Sequence, residues 1–195
     1  VETPPDPSIL IEAIRDLGYS LETAVSDIID NSISAGARNI ELHAPPGNHP
    51  VLAILDDGSG MTKEELMKAM ALGSRSPLEE RERSDLGRYG LGLKTASWSQ
   101  CRSLTVVSRK NGETVSAKWD LDHVARTNRW MVQVPEDPMS LPHAEKLGER
   151  GTLVLWENLD RIVEYEQKEI NVKHFNVRLD QMREHIELVF HRFLS

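Results

Sequence analysis

The chain has 195 residues, 39% of them hydrophobic and 28% charged, with a formal net charge of −8. Such a chain is long enough for a real core, and its acidity argues against non-specific nucleic-acid binding by this piece as a whole. A lone cysteine, Cys101, excludes an internal disulfide framework and a cysteine-based zinc site. No apolar run approaches the ~18 residues of a membrane span and no signal-peptide pattern opens the chain, so a cytoplasmic or other intracellular location is expected. A start at Val1 reads as part of something longer.

Val1 to Pro7 is proline-rich and reads as an extended arm, with Asp6-Pro7 as N-cap and first helical residue. Leu10, Ala13, Ile14 and Leu17 follow at helical spacing, and Gly18 is expected to end that helix. Ser20 then caps a second helix, Leu21 to Ala37, that stops at Gly36. Its Leu21, Val25, Ile28 and Ile29 define a core face. Asp27 and Asn31 share another face, about 6 Å apart along the axis. A carboxylate and a carboxamide so placed can aim a water and a metal ion at one substrate; taken alone, the helix reads more simply as an ordinary amphipathic one with a polar side.

Asn39 to His43 and the apolar run Val51 to Leu55 predict two strands, the second buried and ending in Asp56-Asp57-Gly58-Ser59-Gly60-Met61. Thr62 with Glu65 forms a capping box for a helix to about Leu72. The stretch 73–89 is polar and aperiodic, a loop long enough to suggest function. It leads into Gly87-Arg-Tyr-Gly90-Leu91-Gly92-Leu93-Lys94, with a helix from near Leu91. Strands are expected over 103–109, 114–119 and 129–134, with Asn111-Gly112 as the hairpin turn between the first two. A polar loop, 136–150, precedes a last strand over 151–157, and 174–194 reads as a closing amphipathic helix. Helices first and hairpin-linked strands later indicate an α+β layered domain.

Taken singly, the motifs are ambiguous. Asp56 at a strand end can accept a hydrogen bond from an exocyclic amine, and the glycines after it let a flat ring approach the backbone; a plain Asp-Gly turn would look the same. The Gly87-x-x-Gly90-x-Gly92-x-Lys94 stretch suits a phosphate chain, offering backbone N–H groups and a lysine at a helix start. It is neither a Walker loop nor a dinucleotide fingerprint. His185 and His191 do not share a helix face, and there is no Gly-x-Ser-x-Gly elbow or protein-kinase signature.

In order, however, the helix with Asp27 and Asn31, the Asp-x-Gly-x-Gly strand end, the long loop, the glycine-rich helix start with lysine and the Gly151-Thr152 strand start closely resemble the GHKL ATPases. That superfamily contains DNA gyrase B, heat-shock chaperone ATPases, histidine kinases and MutL. The resemblance spans Leu21 to Trp156; Ile29-Asp-Asn-Ser32 with Gly90-Leu-Gly-Leu-Lys-Thr-Ala-Ser97 looks closest to the MORC-like branch.

The resemblance implies a Bergerat nucleotide-binding fold: a two-layer sandwich of a mostly antiparallel mixed sheet with helices on one face, as one domain over 1–195. It implies ATP and Mg²⁺ as cofactors. Asn31 would ligate the metal, and Asp56 would accept the adenine amino group. Ala35, Gly58, Gly60, Met61 and Thr152 would wall the base pocket. Gly87, Gly90, Leu91, Gly92 and Leu93 would close over the phosphates as the hinge of a lid, 73–89, with Lys94 meeting the phosphates. Relatives that hydrolyse ATP usually carry Glu where this chain has Asp27, whose carboxylate is withdrawn by about 1.5 Å. A following domain usually supplies a further lysine. Slow hydrolysis by this piece is therefore expected, within a switch that drives homodimerisation of a parent protein. An ATP/ADP sensor without useful turnover is the alternative, and a histidine-kinase catalytic domain is a weaker one. Nucleic acid could be met through other domains.

Overall fold

A computed structural model describes residues 5–16, 19–45, 49–72, 92–163, 165–166 and 169–193. The helices are α1 (Pro7–Arg15), α2 (Leu21–Ser34), α3 (Lys63–Met70), α4 (Gly92–Trp98), α5 (Leu121–Thr127) and α6 (Val172–Val189). The strands are β1 (Ile40–His43), β2 (Leu52–Asp56), β3 (Ser103–Lys110), β4 (Glu113–Asp120), β5 (Gly151–Glu157) and a minimal hairpin of β6 (Tyr165–Glu166) and β7 (Glu169–Ile170). The main sheet runs β1-β2-β5-β3-β4, and every pairing in it is antiparallel, so no parallel pair is found among the described strands.

The helix starts are chemical. Asp6 accepts from Ile9 N–H, Ser20 from Thr23 N–H, and Thr62 and Glu65 exchange the reciprocal bonds of a capping box. In α2 the buried residues Leu21, Ala24, Val25, Ile28, Ile29 and Ser32 recur at helical spacing. Each large aliphatic on that stripe contributes roughly 1.5–3 kcal/mol by burial, more than any propensity difference, so packing sets the helix's rotation. That rotation carries Ser32, at the far end of the stripe, to the sheet.

The six α-helices among the described residues bury their apolar residues on one face of the sheet. The other face is covered by the loop 136–150, which folds into two 3₁₀ turns, Pro138–Ser140 and Ala144–Lys146. Ala144 and Leu147 close a second, smaller core over Ala53, Leu55, Val107, Leu153 and Leu155. Arg109 holds this cover by donating to the carbonyls of Leu147 and Gly148 at 3.1 and 2.8 Å, and the ring of His143 stacks on His43 at 5.0 Å. Sealing both faces explains why β2 and β5 read as unbroken apolar runs rather than alternating ones.

Helix α1 is fastened by charge. Arg15, 1% exposed, donates to Trp98 C=O and to both oxygens of Asp160, while Arg102 reaches Glu12 and Asp122. A buried guanidinium is tolerated only with this degree of pairing.

Several expectations are corrected. The stretch 129–134 is not a strand: only Gln133 pairs, exchanging both backbone bonds with Lys118 at 2.8 and 2.9 Å. Asn128 in the left-handed conformation ends α5 and turns the chain, and Trp130 packs edge-on against Trp119 at 6.3 Å. Helix α5 itself escaped detection because seven residues with two buried positions show no periodicity. Helix α1 ends at Arg15 rather than Gly18, and the closing helix runs Val172–Val189 rather than 174–194. The proposed lid 73–89 and the first four residues of the arm lie outside the described residues.

Gly60 has φ +65°, and a Cβ there would sit 2.0 Å from Arg109 C=O; Gly112 has φ +80° with nothing within 4 Å. Both substitutions to alanine strain the backbone by about 1–2 kcal/mol, but only Gly60→Ala also forces β3 away. Thermal unfolding is expected to show Gly60→Ala losing at least twice the stability lost by Gly112→Ala; equal losses would remove the packing argument.

Candidate functional site

The register of β2 with β5 sets Asp56 opposite Thr152. Asp56 closes β2 on the helical face, with 8% of its surface exposed. Its Oδ1 accepts from Gly58 N–H at 2.9 Å and Thr152 N–H at 3.1 Å, and its Oδ2 accepts from the Ser32 hydroxyl at 2.8 Å. Burial pushes the Asp56 carboxyl above its usual range, and these three donors pull against that shift. The result is a carboxylate held by α2, its own turn and β5, with lone pairs left over for a donor arriving from the opening.

The glycine turn is shaped by backbone contact. A Cβ on Gly58 would meet Ala35 Cβ at 2.9 Å, and one on Gly151, at φ +134°, would meet Asp56 C=O at 2.0 Å. The Ala35 carbonyl accepts from Ser59 N–H at 2.9 Å, tying the turn to the end of α2. Asp57 accepts from the N–H groups of Arg38 and Asn39 and from the Asn39 carboxamide, bonds that hold its carboxyl below the usual range. Met61 N–H donates to the Ser108 hydroxyl at 2.8 Å. Thus Ala35, Asp56, Gly58, Gly60, Met61 and Thr152 converge where β2 ends.

On α2, Asn31 is exposed and Asp27 half-buried. Burial raises the Asp27 carboxyl, and a hydrogen bond with the Tyr19 side chain opposes the shift. Asp30 is also raised, first by burial and then by repulsion from Asp27, so the two carboxylates, three residues apart, sense each other. Asn31, one helical turn beyond Asp27, offers a carboxamide oxygen, a hard donor suited to a divalent cation.

Lys94 is buried in α4, where its ammonium donates to Ala69 C=O at the end of α3, while Trp119 Nε1 donates to Met70 C=O at 2.9 Å. These are last-turn carbonyls with no helical partner, and a cation there also meets the negative end of the helix dipole. Gly92 starts α4 with no atom of the described residues within 4 Å of where a Cβ would stand, and Leu93 packs partly buried on the core. Gly87, Gly90 and Leu91 lie outside the described residues.

Three residues of the site were given no role by the motif reading. Ser32 was legible from its place on the buried stripe of α2. Ser108 and Tyr19 carried no local signal: the partners of Ser108 are remote in sequence, and Tyr19 precedes the Ser20 cap and so lies off the helical pattern that holds its partner Asp27.

Burial lowers the Lys94 pKa from 10.5 to about 8. For a lysine shifted this way the cost of the buried charge is present in full below the folded value and is relieved as pH rises toward the unfolded one. The stability of the wild type relative to Lys94→Met, measured by urea unfolding, is expected to increase between pH 8 and pH 10 by up to a few kcal/mol. A difference independent of pH would sink this account.

The sequence profile described as histidine kinase-, DNA gyrase B- and HSP90-like ATPase matches residues 19–152. The chain is 32% identical over 91 residues to the ATPase morc-1 of Caenorhabditis elegans, covering 46% of this chain and 10% of that protein. It is 29% identical over 120 residues to the DNA mismatch repair protein MutL of Pseudomonas putida strain GB-1, covering 60% of this chain and 18% of MutL. The MutL of Afipia carboxidovorans is 28% identical over 133 residues, 68% of this chain and 19% of that protein. The chain therefore spans less than a fifth of the length of these curated relatives. With the matched segment running from the residue before the Ser20 cap to Thr152, and so containing every described residue of the convergent site, the chain belongs to the histidine kinase-, DNA gyrase B- and HSP90-like ATPase family.

Proposed function

We propose that this domain binds ATP with Mg²⁺ at the end of β2 and hydrolyses it slowly, as a conformational switch within a longer protein. The observation that carries the reading is Asp56: a buried carboxylate kept in place by three donors and retaining acceptor capacity toward the opening. An exocyclic amine satisfies such a group, and the carbonyl that guanine carries at the same position does not.

Asn31 would hold Mg²⁺, which takes one or two protein oxygens and completes its shell with phosphate and water. When bound, the ion would neutralise charge on the phosphates. Asp27 would orient and deprotonate the attacking water. Its raised pKa makes it a stronger base than an exposed aspartate, while its short side chain limits reach. Lys94 would add positive charge at the start of α4. Nucleotide-driven ordering of the lid 73–89 and of the arm 1–7, homodimerisation of the parent, and contact with nucleic acid through other domains complete the proposal. The likeness to morc-1 and MutL supports it.

Calorimetric titration of ATP and GTP tests the pocket. Wild type is expected to bind ATP alone, and Asp56→Asn, still folded by circular dichroism, to lose roughly 10- to 100-fold in affinity, the worth of a charge-assisted hydrogen bond. Unchanged affinity would remove Asp56 from the site. For the chemistry, turnover by this domain should stay below about 1 s⁻¹. Asp27→Asn should lower kcat of the full-length parent by about 10²-fold, within the usual range for a general base, with little change in ATP affinity. Equal rates for the two proteins would instead favour a nucleotide sensor without useful turnover.

A further inference from the structure

Behind the pocket lies a serine that touches no solvent. Ser108, on β3, is 0% exposed, whereas Asp56 and Thr152, on the pocket side of it, keep 8% and 9%. Three polar atoms surround its hydroxyl: Met61 N–H at 2.8 Å, Gly151 C=O at 3.0 Å and Thr152 Oγ1 at 3.0 Å.

A hydroxyl has one proton and two lone pairs, which leaves little freedom in this arrangement. The Met61 amide can only donate, so it takes one lone pair. The Gly151 carbonyl can only accept, so the contact needs the Ser108 proton. The remaining lone pair faces Thr152, whose hydroxyl must then donate to Ser108. Any other assignment leaves two oxygens about 3 Å apart with no proton between them inside the core, a costly arrangement for buried polar groups. With its proton committed inward, Thr152 presents only lone pairs outward. Its neighbour Asp56 accepts three donors and donates nothing. The wall formed by Asp56 and Thr152 is acceptor-only.

We propose that Ser108 is a positioning residue that sets the base specificity of the pocket by fixing the direction of the Thr152 hydroxyl. Resting on the adenine-pocket reading above, it explains why a purine with an amine at its six-position fits and one with a carbonyl there is rejected: the carbonyl would face lone pairs on both side chains. Removal of the Ser108 hydroxyl frees the Thr152 proton to turn outward, and the wall gains a donor.

The test is calorimetric titration of ATP and inosine triphosphate, which replaces the six-amino group by a carbonyl. It would be run on wild type, Ser108→Ala, Thr152→Val and the double variant. Wild type is expected to prefer ATP, and Ser108→Ala to shift that preference toward inosine triphosphate by about tenfold. In the Thr152→Val background the same serine change should alter selectivity by less than about twofold, because no hydroxyl remains to turn. A loss of affinity common to both nucleotides in Ser108→Ala, or a selectivity change that persists without the Thr152 hydroxyl, would overturn the assignment and leave Ser108 a packing residue. Should the alanine variant fail to fold, Ser108→Cys, nearly the same size but a weak donor, carries the same expectation with a smaller shift, and unchanged selectivity there overturns it. Failure of wild type to bind either nucleotide would overturn the adenine pocket itself, a result distinct from binding with unaltered selectivity.

Discussion

A carboxylate must stay buried and yet available at the end of the interior strand β2, and much of the local architecture answers to that demand. Asp56 is pushed toward neutrality by burial, so its charged form depends on donors, and they come from three separate parts of the chain: the Ser32 hydroxyl, Gly58 N–H and Thr152 N–H. Each fixes a different relation. Ser32 requires α2 to lie against the sheet at one rotation, Gly58 requires a tight turn after β2, and Thr152 requires the β2–β5 register. A slip of one residue in that register would turn Asp56 to the other face of the sheet, into the small apolar core of Ala53 and Leu55.

The same constraint joins two motifs that look unrelated in sequence. Gly151 and the glycine turn are separated by some ninety residues, yet a side chain on Gly151 would collide with the carbonyl of Asp56, and one on Gly60 with that of Arg109. The glycines are therefore needed first because backbones of β2, β3 and β5 crowd together at this end of the sheet. Close approach of a flat ring to this turn, as the proposed function requires, would be a secondary benefit of glycines that the backbone crowding already demands.

Legibility followed the range of the interaction that determined each feature. The α2 stripe, the Thr62 capping box, the Asn111-Gly112 hairpin and strand β5 are decided by residues within a few positions of one another, and they were readable. The stretch 129–134 looked like a strand because its apolar content is strand-like, but its course is decided by Asn128 and by the edge-on contact of Trp130 with Trp119. The loop 136–150 looked merely polar, because Ala144 and Leu147 are too sparse to show a period and only the sheet beneath them reveals their role. Ser108 is the extreme case. Its partners Met61 and Thr152 lie 47 and 44 residues away, and nothing near it in the chain distinguishes it from any other strand serine.

Helix α2 carries the two ends of the proposed chemistry on adjacent faces. Ser32 belongs to the buried stripe and points to the base side, while Asn31, one residue back and so about 100° around the axis, stands in solvent on the side of Asp27. One rigid element therefore fixes the distance between base recognition and the phosphate end, and no loop needs to do so. The substitution of aspartate for the longer acid then acts against a fixed frame. Asp27 cannot be brought nearer by a small helix shift, because moving α2 would break the Ser32–Asp56 bond. What it loses in reach would be offset in part by basicity, since burial favours a proton on Asp27 against the opposing hydrogen bond of Tyr19. In the proposed mechanism these two opposing effects would make Asp27 a slower but still competent base.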